Sequence, residues 1–299
     1  MSMVWINGRF EDEAAAGVSV RDTGLLHAAG VFTTMRSYGG RVFRLEKHLD
    51  RLRRSCEVLG IPMELEDRQI GEVVKELLKK NSLGDARLRL TVTRGKAGAE
   101  GMEPTALLTA ADLVPYPEEY YQKGMTAAVE DQQKLNPYDV QAGHKTLNYF
   151  SRLMALRTAN QRGAGEAMLF DVHNYLQSGS VSNVFVVKDG VILTPPTQEE
   201  LLDEGVAGRT PYPRSAVLPG VTRGTVLELA ERLGIKMQVS AIDIEGMLGG
   251  NELFITNSIM GVMPVCRIER KAIGEDRPGE ITKKLMTGYA EWTIDGIGE

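Results

Sequence analysis

The sequence predicts an α+β fold in two domains, on three observations. Strand and helix signals are mixed without strict strand–helix–strand alternation, which disfavours a doubly wound parallel sheet. The 299 residues are enough for two ordinary domains. Residues 112–122 read as a linker: Asp112-Leu113-Val114-Pro115-Tyr116-Pro117-Glu118-Glu119-Tyr120 sets two prolines among acidic residues, which suits an extended crossing. The boundary is expected near residue 117, with a small domain over 1–117 and a larger one over 118–299.

In the first domain, Asn7-Gly8 between apolar residues predicts a hairpin over Val4–Phe10. A second strand pair is expected from Met35 to Phe43, turning at Gly39-Gly40. Leu45, Leu49, Leu52, Cys56 and Leu59 then fall on one helical stripe, ended by Gly60-Ile61-Pro62. Asp67 is expected to cap a second helix carrying Ile70, Val73, Val74, Leu77 and Leu78, with Asn81 and Gly84 as its stop. Strands follow at 86–93 and 106–110.

In the second domain, strands are expected at 125–129, 167–170, 184–187, 191–193 and 252–256, with Lys188-Asp189-Gly190 turning a hairpin. Helices are expected at 148–160, with Tyr149, Leu153, Leu156 and Ala159 on one face, at 222–233, and at 280–292. Residues 195–219 hold five prolines and read as a long polar loop, a candidate lid or substrate wall.

The chain is 42% hydrophobic and 25% charged, which places it among ordinary globular proteins. Its net charge of −5 argues against a nucleic-acid partner, which would need a basic face. Cys56 and Cys266 form no CxxC pair and read as buried thiols of a reducing compartment. The N-terminus carries no signal-peptide pattern, and no apolar run approaches the ~18 residues of a membrane span. A cytoplasmic protein without membrane contact is expected. The histidines His27, His48, His144 and His173 lack ligand spacing, so no metal site is expected.

Four segments carry chemistry. Lys145 sits in Gly143-His144-Lys145-Thr146-Leu147-Asn148-Tyr149. A lysine is ordinarily protonated, but one that is buried or beside other cations can condense with an aldehyde. Arg51, in His48-Leu49-Asp50-Arg51-Leu52, offers a planar fork for a phosphate, with His48 one turn earlier on the same face. Gly220-Val221-Thr222 enters a helix, where free N–H groups and a hydroxyl favour an anion. Thr256-Asn257-Ser258 places donors at a strand end. Each segment also has a plainer reading, as solvated lysine, surface arginine, ordinary helix cap and simple turn. Together they are the parts needed to hold a phosphorylated aldehyde.

The order HxxRL, Lys followed by Asn and an aromatic residue, SxSNVFxVKDGxxxTP, LPGVTR and ELFITNS with a later MPV resembles the class IV aminotransferases, fold type IV of the pyridoxal-phosphate enzymes. That family includes branched-chain and D-amino-acid aminotransferases and aminodeoxychorismate lyases. The resemblance implies a small N-terminal domain, a larger pseudo-barrel domain and a homodimer. It implies pyridoxal 5′-phosphate as cofactor, with a small-molecule amino donor and a 2-oxo acid acceptor. By the same resemblance Lys145 is the Schiff-base lysine and proton carrier, and Arg51 binds the phosphate. Val221, Thr222 and Ser258 complete the phosphate contacts beside Asn257, and Tyr149 lies near the cofactor O3′. A lyase giving 4-aminobenzoate and pyruvate is the alternative on the same scaffold.

One position departs from the family. A glutamate five residues before the asparagine of the SNxF motif normally pairs with the pyridine nitrogen, and here that residue is Ser178. A hydroxyl holds a pyridinium proton less strongly than a carboxylate, so a weaker electron sink is expected. Either Ser178 makes a neutral hydrogen bond or another carboxylate takes over. Phe32, Arg36, Arg89 and Arg94 are candidate pocket residues by position. Lys96-Ala97-Gly98-Ala99-Glu100 lacks the arginine and histidine with which D-amino-acid aminotransferases hold a carboxylate.

Overall fold

A computed structural model describes residues 2–63, 65–98 and 101–295. It divides into two compact units. The first gathers the chain up to Val114, His144–Asn148 and the chain from Thr293; the second holds Pro115–Gly143 and Tyr149–Trp292. The crossing expected near residue 117 compares with one at Val114–Pro115. His144–Asn148, expected with the second domain, joins the first unit because its backbone pairs with a strand there.

The first unit is built on six strands: β1 (Met3–Ile6), β2 (Arg9–Asp12), β3 (Gly30–Tyr38), β4 (Arg41–Val42), β5 (Ala86–Gly98) and β6 (Gly101–Asp112). They form one sheet in the order β2-β1-β6-β5-β3-β4 with antiparallel neighbours. The two predicted hairpins turn at Asn7-Gly8 (φ 46° and 88°) and Gly39-Gly40 (φ 56° and 83°). Positive φ at both central residues matches the right-handed twist of the flanking strands. Val31 and Met35 of β3 and Leu88, Leu90 and Val92 of β5 pack with Leu49 and Leu52 of the helix Leu45–Val58, and with Ile70, Val74 and Leu77 of the helix Asp67–Lys80. Side chains alternate along a strand. The other face therefore carries Phe32, Thr34 and Arg36 of β3 opposite Thr91, Arg89 and Arg87 of β5.

Asp67 does not cap its helix. Glu66 holds the cap position without a side-chain bond, while Asp67 accepts from Arg53 Nη1 at 3.2 Å. β5 and β6 run further than expected, because a bulge between Thr93 and Lys96 lets the ladder resume to Gly98 and Gly101. Ala99 and Glu100 lie outside the described residues.

The second unit contains β7 (Met125–Val129), β8 (Glu166–Phe170), β9 (Leu176–Gly179), β10 (Asn183–Lys188), β11 (Val191–Thr194), β12 (Met237–Val239), β13 (Glu252–Asn257), β14 (Gly261–Ile268) and β15 (Lys271–Ala272). Their order is β12-β11-β10-β13-β14-β7-β8-β9, with β15 on β14. Neighbours are parallel at β11/β12, β14/β7 and β7/β8. A tight turn joins β9 to β10, Gly179 N donating to Ser182 O at 2.9 Å, so the sheet's far edge returns to its middle. The sheet is curled and barrel-like, as the α+β reading with a pseudo-barrel domain requires.

The expected helix near 148–160 spans Phe150–Gln161, but it buries Ala155 and Ala159 rather than its bulkier residues. Those alanines pack on Ala128, Ala164, Ala167 and Leu169, a close contact that admits only small side chains. Phe150, Leu153 and Met154 are left exposed.

Residues 195–219 are not structureless. They hold helical turns at Glu200–Leu202 and Glu204–Ala207 and a bridge between Thr197 and Val217. Gln177 Oε1 accepts from Ala216 N at 3.1 Å. Arg223 grips Glu200 through two bonds of 2.8 Å and donates to Pro195 O at 3.1 Å. The segment is fastened to the helix Val221–Arg232, unlike a loose lid. Among the described residues no helix is long and apolar enough to cross a membrane. Cys56 and Cys266 are both buried, and burial pushes each thiol up to about 11.

Candidate active site

In the first unit, the edge of β3 takes up the segment around Lys145. Phe32 N donates to Lys145 O at 2.9 Å, Leu147 N donates to Gly30 O at 2.9 Å, and Val31 bridges Thr146 in antiparallel sense. Lys145 thus stands on extended backbone, five residues ahead of the helix that begins at Phe150. Its Nζ lies 4.7 Å from the Phe32 ring centroid, within reach of a cation–π contact. The Arg89 guanidinium lies 3.6 Å from the same centroid, and that of Arg36 lies 4.4 Å from the Tyr38 ring. Arg94 has an exposed side chain and joins the group only through its backbone, donating to Ala29 O at 2.8 Å.

Thr33 links two further residues. Its hydroxyl accepts from Arg51 Nη2 at 3.0 Å and lies 2.8 Å from His48 Nδ1. Arg51 and His48 meet there because they are three apart on one helix. Burial holds the His48 imidazole well below its ordinary pKa, and the charges of Arg51 and Lys145 lower it further. Their action on His48 shows that the Lys145 amine, His48 and Arg51 share one neighbourhood. His144, whose Nδ1 lies 3.0 Å from Ser55 Oγ, is also lowered by burial. Sequence reasoning missed Thr33, and no sequence signal marks it.

A buried neutral histidine makes stability depend on pH. As pH falls below about 6.5, the unfolded chain takes up the His48 proton before the folded one does. His48 therefore contributes no pH dependence above that value and destabilises the fold increasingly below it. Denaturant unfolding followed from neutral to mildly acid pH should show stability falling, and His48→Gln should flatten the fall.

In the second unit, Gly220 caps the helix Val221–Arg232. Thr222 is its second residue rather than the cap that the sequence suggests, and its side chain is buried. The first N–H groups of such a helix have no intrahelical acceptor and favour an anion. Asn183 Nδ2 holds the entry by donating to Leu218 O at 2.9 Å. A Cβ at Gly220 would lie 1.9 Å from Asn183 Oδ1, so a larger residue would push aside the side chain that holds the entry. Thr256 stands opposite Asn183 in the β10–β13 ladder, so it shares the face that supports this turn. Its Oγ1 is buried with no hydrogen-bond partner among the described residues. An orphaned hydroxyl beside a helix N-terminus is a donor set that a phosphate would satisfy. Asn257 spends its side chain on the turn: Oδ1 accepts from Ile259 N and Met260 N at 2.9 Å, and Nδ2 donates to Val181 O at 3.3 Å. That turn presents Ser258, which is half-buried.

Also in the second unit, Ser178 is buried in β9. Arg152 Nη1 donates to Ser178 Oγ at 3.1 Å, and the Arg152 guanidinium lies 5.8 Å from the Tyr149 ring centroid. Sequence reasoning does not single out Arg152, which reads as one more polar helix residue. The first unit thus offers an amine and a guanidinium, and the second an anion-binding helix entry with buried hydroxyls. These residue types fit a phosphorylated aldehyde.

Comparison with known proteins agrees. The family described as amino-transferase class IV matches residues 30–268. A putative branched-chain-amino-acid aminotransferase of Methanocaldococcus jannaschii is 36% identical over 292 residues, covering 96% of this chain and 95% of that protein. The structure of the T.th. branched-chain amino acid aminotransferase with pyridoxamine 5′-phosphate superposes with a TM-score of 0.87 at 25% identity, covering 98% of this chain and 94% of that one. A 4-amino-4-deoxychorismate lyase structure from Pseudomonas aeruginosa gives a TM-score of 0.78 at 28% identity, covering 96% and 98%.

Proposed function

Because this chain belongs to the class IV aminotransferases and is a transaminase of that family, we propose that it moves an amino group from a branched-chain amino acid to a dicarboxylic 2-oxo acid, with pyridoxal 5′-phosphate as cofactor. The observation that carries the reading is that Arg51 and His48 meet at the Thr33 hydroxyl while Lys145 pairs with the adjacent Phe32. When bound, the cofactor supplies an aldehyde that takes up the amino group and a ring that spreads negative charge.

The chain's own residues do the rest. Lys145 carries the covalent link and, once released, moves the proton at the substrate Cα. Arg51 holds the phosphate, with the Val221 N–H and the hydroxyls of Thr222 and Ser258 completing its contacts. His48, kept neutral, adds no further charge beside Arg51. Phe32 offers an apolar surface that excludes water from Lys145, and Tyr149 lies at the cofactor O3′. Arg36 and Arg89, on one face of β3 and β5, bind the acceptor's carboxylates. The exposed Phe150, Leu153 and Met154 support a homodimer.

The likeness to the Methanocaldococcus jannaschii relative supports the donor class. The test is a donor panel with 2-oxoglutarate as acceptor. Leucine, isoleucine and valine should yield glutamate, and D-alanine should be a poor donor. Release of pyruvate from aminodeoxychorismate without any 2-oxo acid would overturn the reading in favour of the lyase, to which the Pseudomonas aeruginosa structure lends weight.

A further inference from the structure

The surroundings of Ser178 decide between the two alternatives open for the cofactor's ring nitrogen, and the inference rests on the cofactor reading above. A replacement carboxylate would have to come from nearby, and Glu166 is the carboxylate that packs against this turn. It is fully buried and fully committed. Its Oε1 accepts from Ala167 N and Ser180 N, each at 2.9 Å, and from the Ser180 hydroxyl. Its Oε2 accepts from Ser182 Oγ at 2.7 Å and Val181 N at 3.4 Å. A carboxylate has about four lone-pair sites, so Glu166 has none to spare. Its role is to build the turn between β9 and β10.

Ser178 is then the polar group at the family's nitrogen position, and it is not alone. Arg152 Nη1 donates to Ser178 Oγ at 3.1 Å, to Gly179 O at 3.2 Å and to Ser180 O at 3.5 Å. The two carbonyls fix the guanidinium in place. A guanidinium cannot accept a hydrogen bond and does not lose its proton. The hydroxyl oxygen is therefore engaged as an acceptor, and its proton is directed to another group. A bare pyridine nitrogen accepts such a proton, whereas a pyridinium would bring a second positive charge to an oxygen already bonded to a cation. Arg152 also stands near the Tyr149 ring, so one side chain reaches both residues assigned to the cofactor's polar edge.

We infer that Arg152 is a positioning residue that turns Ser178 into a hydrogen-bond donor toward the cofactor's ring nitrogen and keeps that nitrogen unprotonated. The consequence is a cofactor that draws electrons weakly, with more of the work of moving the substrate proton left to Lys145.

The test loads the full-length protein with pyridoxal phosphate labelled with ¹⁵N in the ring and reads the nitrogen chemical shift. At neutral pH the wild type should show the bare-pyridine shift. Arg152→Gln removes the cation and should move the ring nitrogen's titration to higher pH, and Ser178→Glu should bring in the pyridinium shift. Arg152→Lys, which keeps a cation without the forked geometry, should fall between wild type and Arg152→Gln. A variant that fails to fold leaves the wild-type shift decisive. A pyridinium shift in the wild type overturns the inference while leaving the cofactor reading intact. Borohydride reduction separates the two failures: if no cofactor remains attached to Lys145 after reduction and peptide mapping, the cofactor reading falls and this inference with it.

Discussion

Lys145→Ala should lose transamination by at least roughly 10²–10⁴-fold, the range expected from removing a positioned proton carrier. Loss of the covalent link to the cofactor deepens the defect. The fold should survive. The pairing that holds this segment runs through the Lys145 carbonyl and the Leu147 amide, and neither is touched by the substitution. The side chain is only half-buried, so the change in unfolding free energy should stay within about 1 kcal/mol. The checks are initial rates with a saturating donor, visible absorbance after addition of the cofactor, and a denaturant melt. Visible imine absorbance in the variant would remove Lys145 from its assigned role.

Arg223→Ala should be strongly destabilising for the second unit, costing about 3–5 kcal/mol, the range for breaking one side of a buried pair. Arg223 is 4% exposed and Glu200 28%. Burial pushes the Glu200 carboxyl up, but the charge and hydrogen bonds of Arg223, with bonds from Thr197, outweigh it and hold the carboxyl below its ordinary range. A lowered carboxylate stabilises the fold above about pH 4.3 and stops doing so as pH falls through the folded-state value. Denaturant titrations should therefore show an acid limb in the wild type that Arg223→Ala lacks. Pairing it with Glu200→Met should recover part of the loss, since the carboxylate is then no longer buried alone. Equal stability for wild type and Arg223→Ala would mean that the 195–219 segment is held by its apolar contacts, chiefly Leu201, Ala216 and Val217.

The parts of the fold legible in sequence are those set by local chemistry. Asn7-Gly8, Gly39-Gly40 and Asp189-Gly190 announce their hairpins because such pairs reach positive φ at low cost. The helix Leu45–Val58 shows in its stripe because one face is buried and the other solvated. What escapes depends on partners distant in sequence. β14 contains Pro264, which argues against a strand, yet the ladder to β7 starts only at Val265. β9, with Ser178 and Gly179, has weak strand propensity and is held by the donors that Glu166 and Gln177 engage around it. The helix Phe150–Gln161 is legible through its large residues, while its contact with the sheet selects alanines.

The site divides in the same way. Lys145, Arg51 and the Gly220 turn stand out because their residue types are chemically specific. Thr33, Thr256 and Arg152 gain meaning only from what the fold brings to them. Asn257, expected beside the phosphate contacts, uses its side chain to shape the turn.

The pairing of Gly30–Phe32 with Lys145–Leu147 has a consequence for dissecting the protein. A fragment ending at Val114 would keep the first unit's strands and helices but lose the stretch that covers this edge. The Phe32 amide and the Gly30 carbonyl would then face water as a bare docking edge beside the hydrophobic Val31, inviting self-association of truncated chains. A genetic cut at the linker would therefore not release an independent module, because the lysine-bearing stretch belongs to the first unit by packing and to the other half by covalent order.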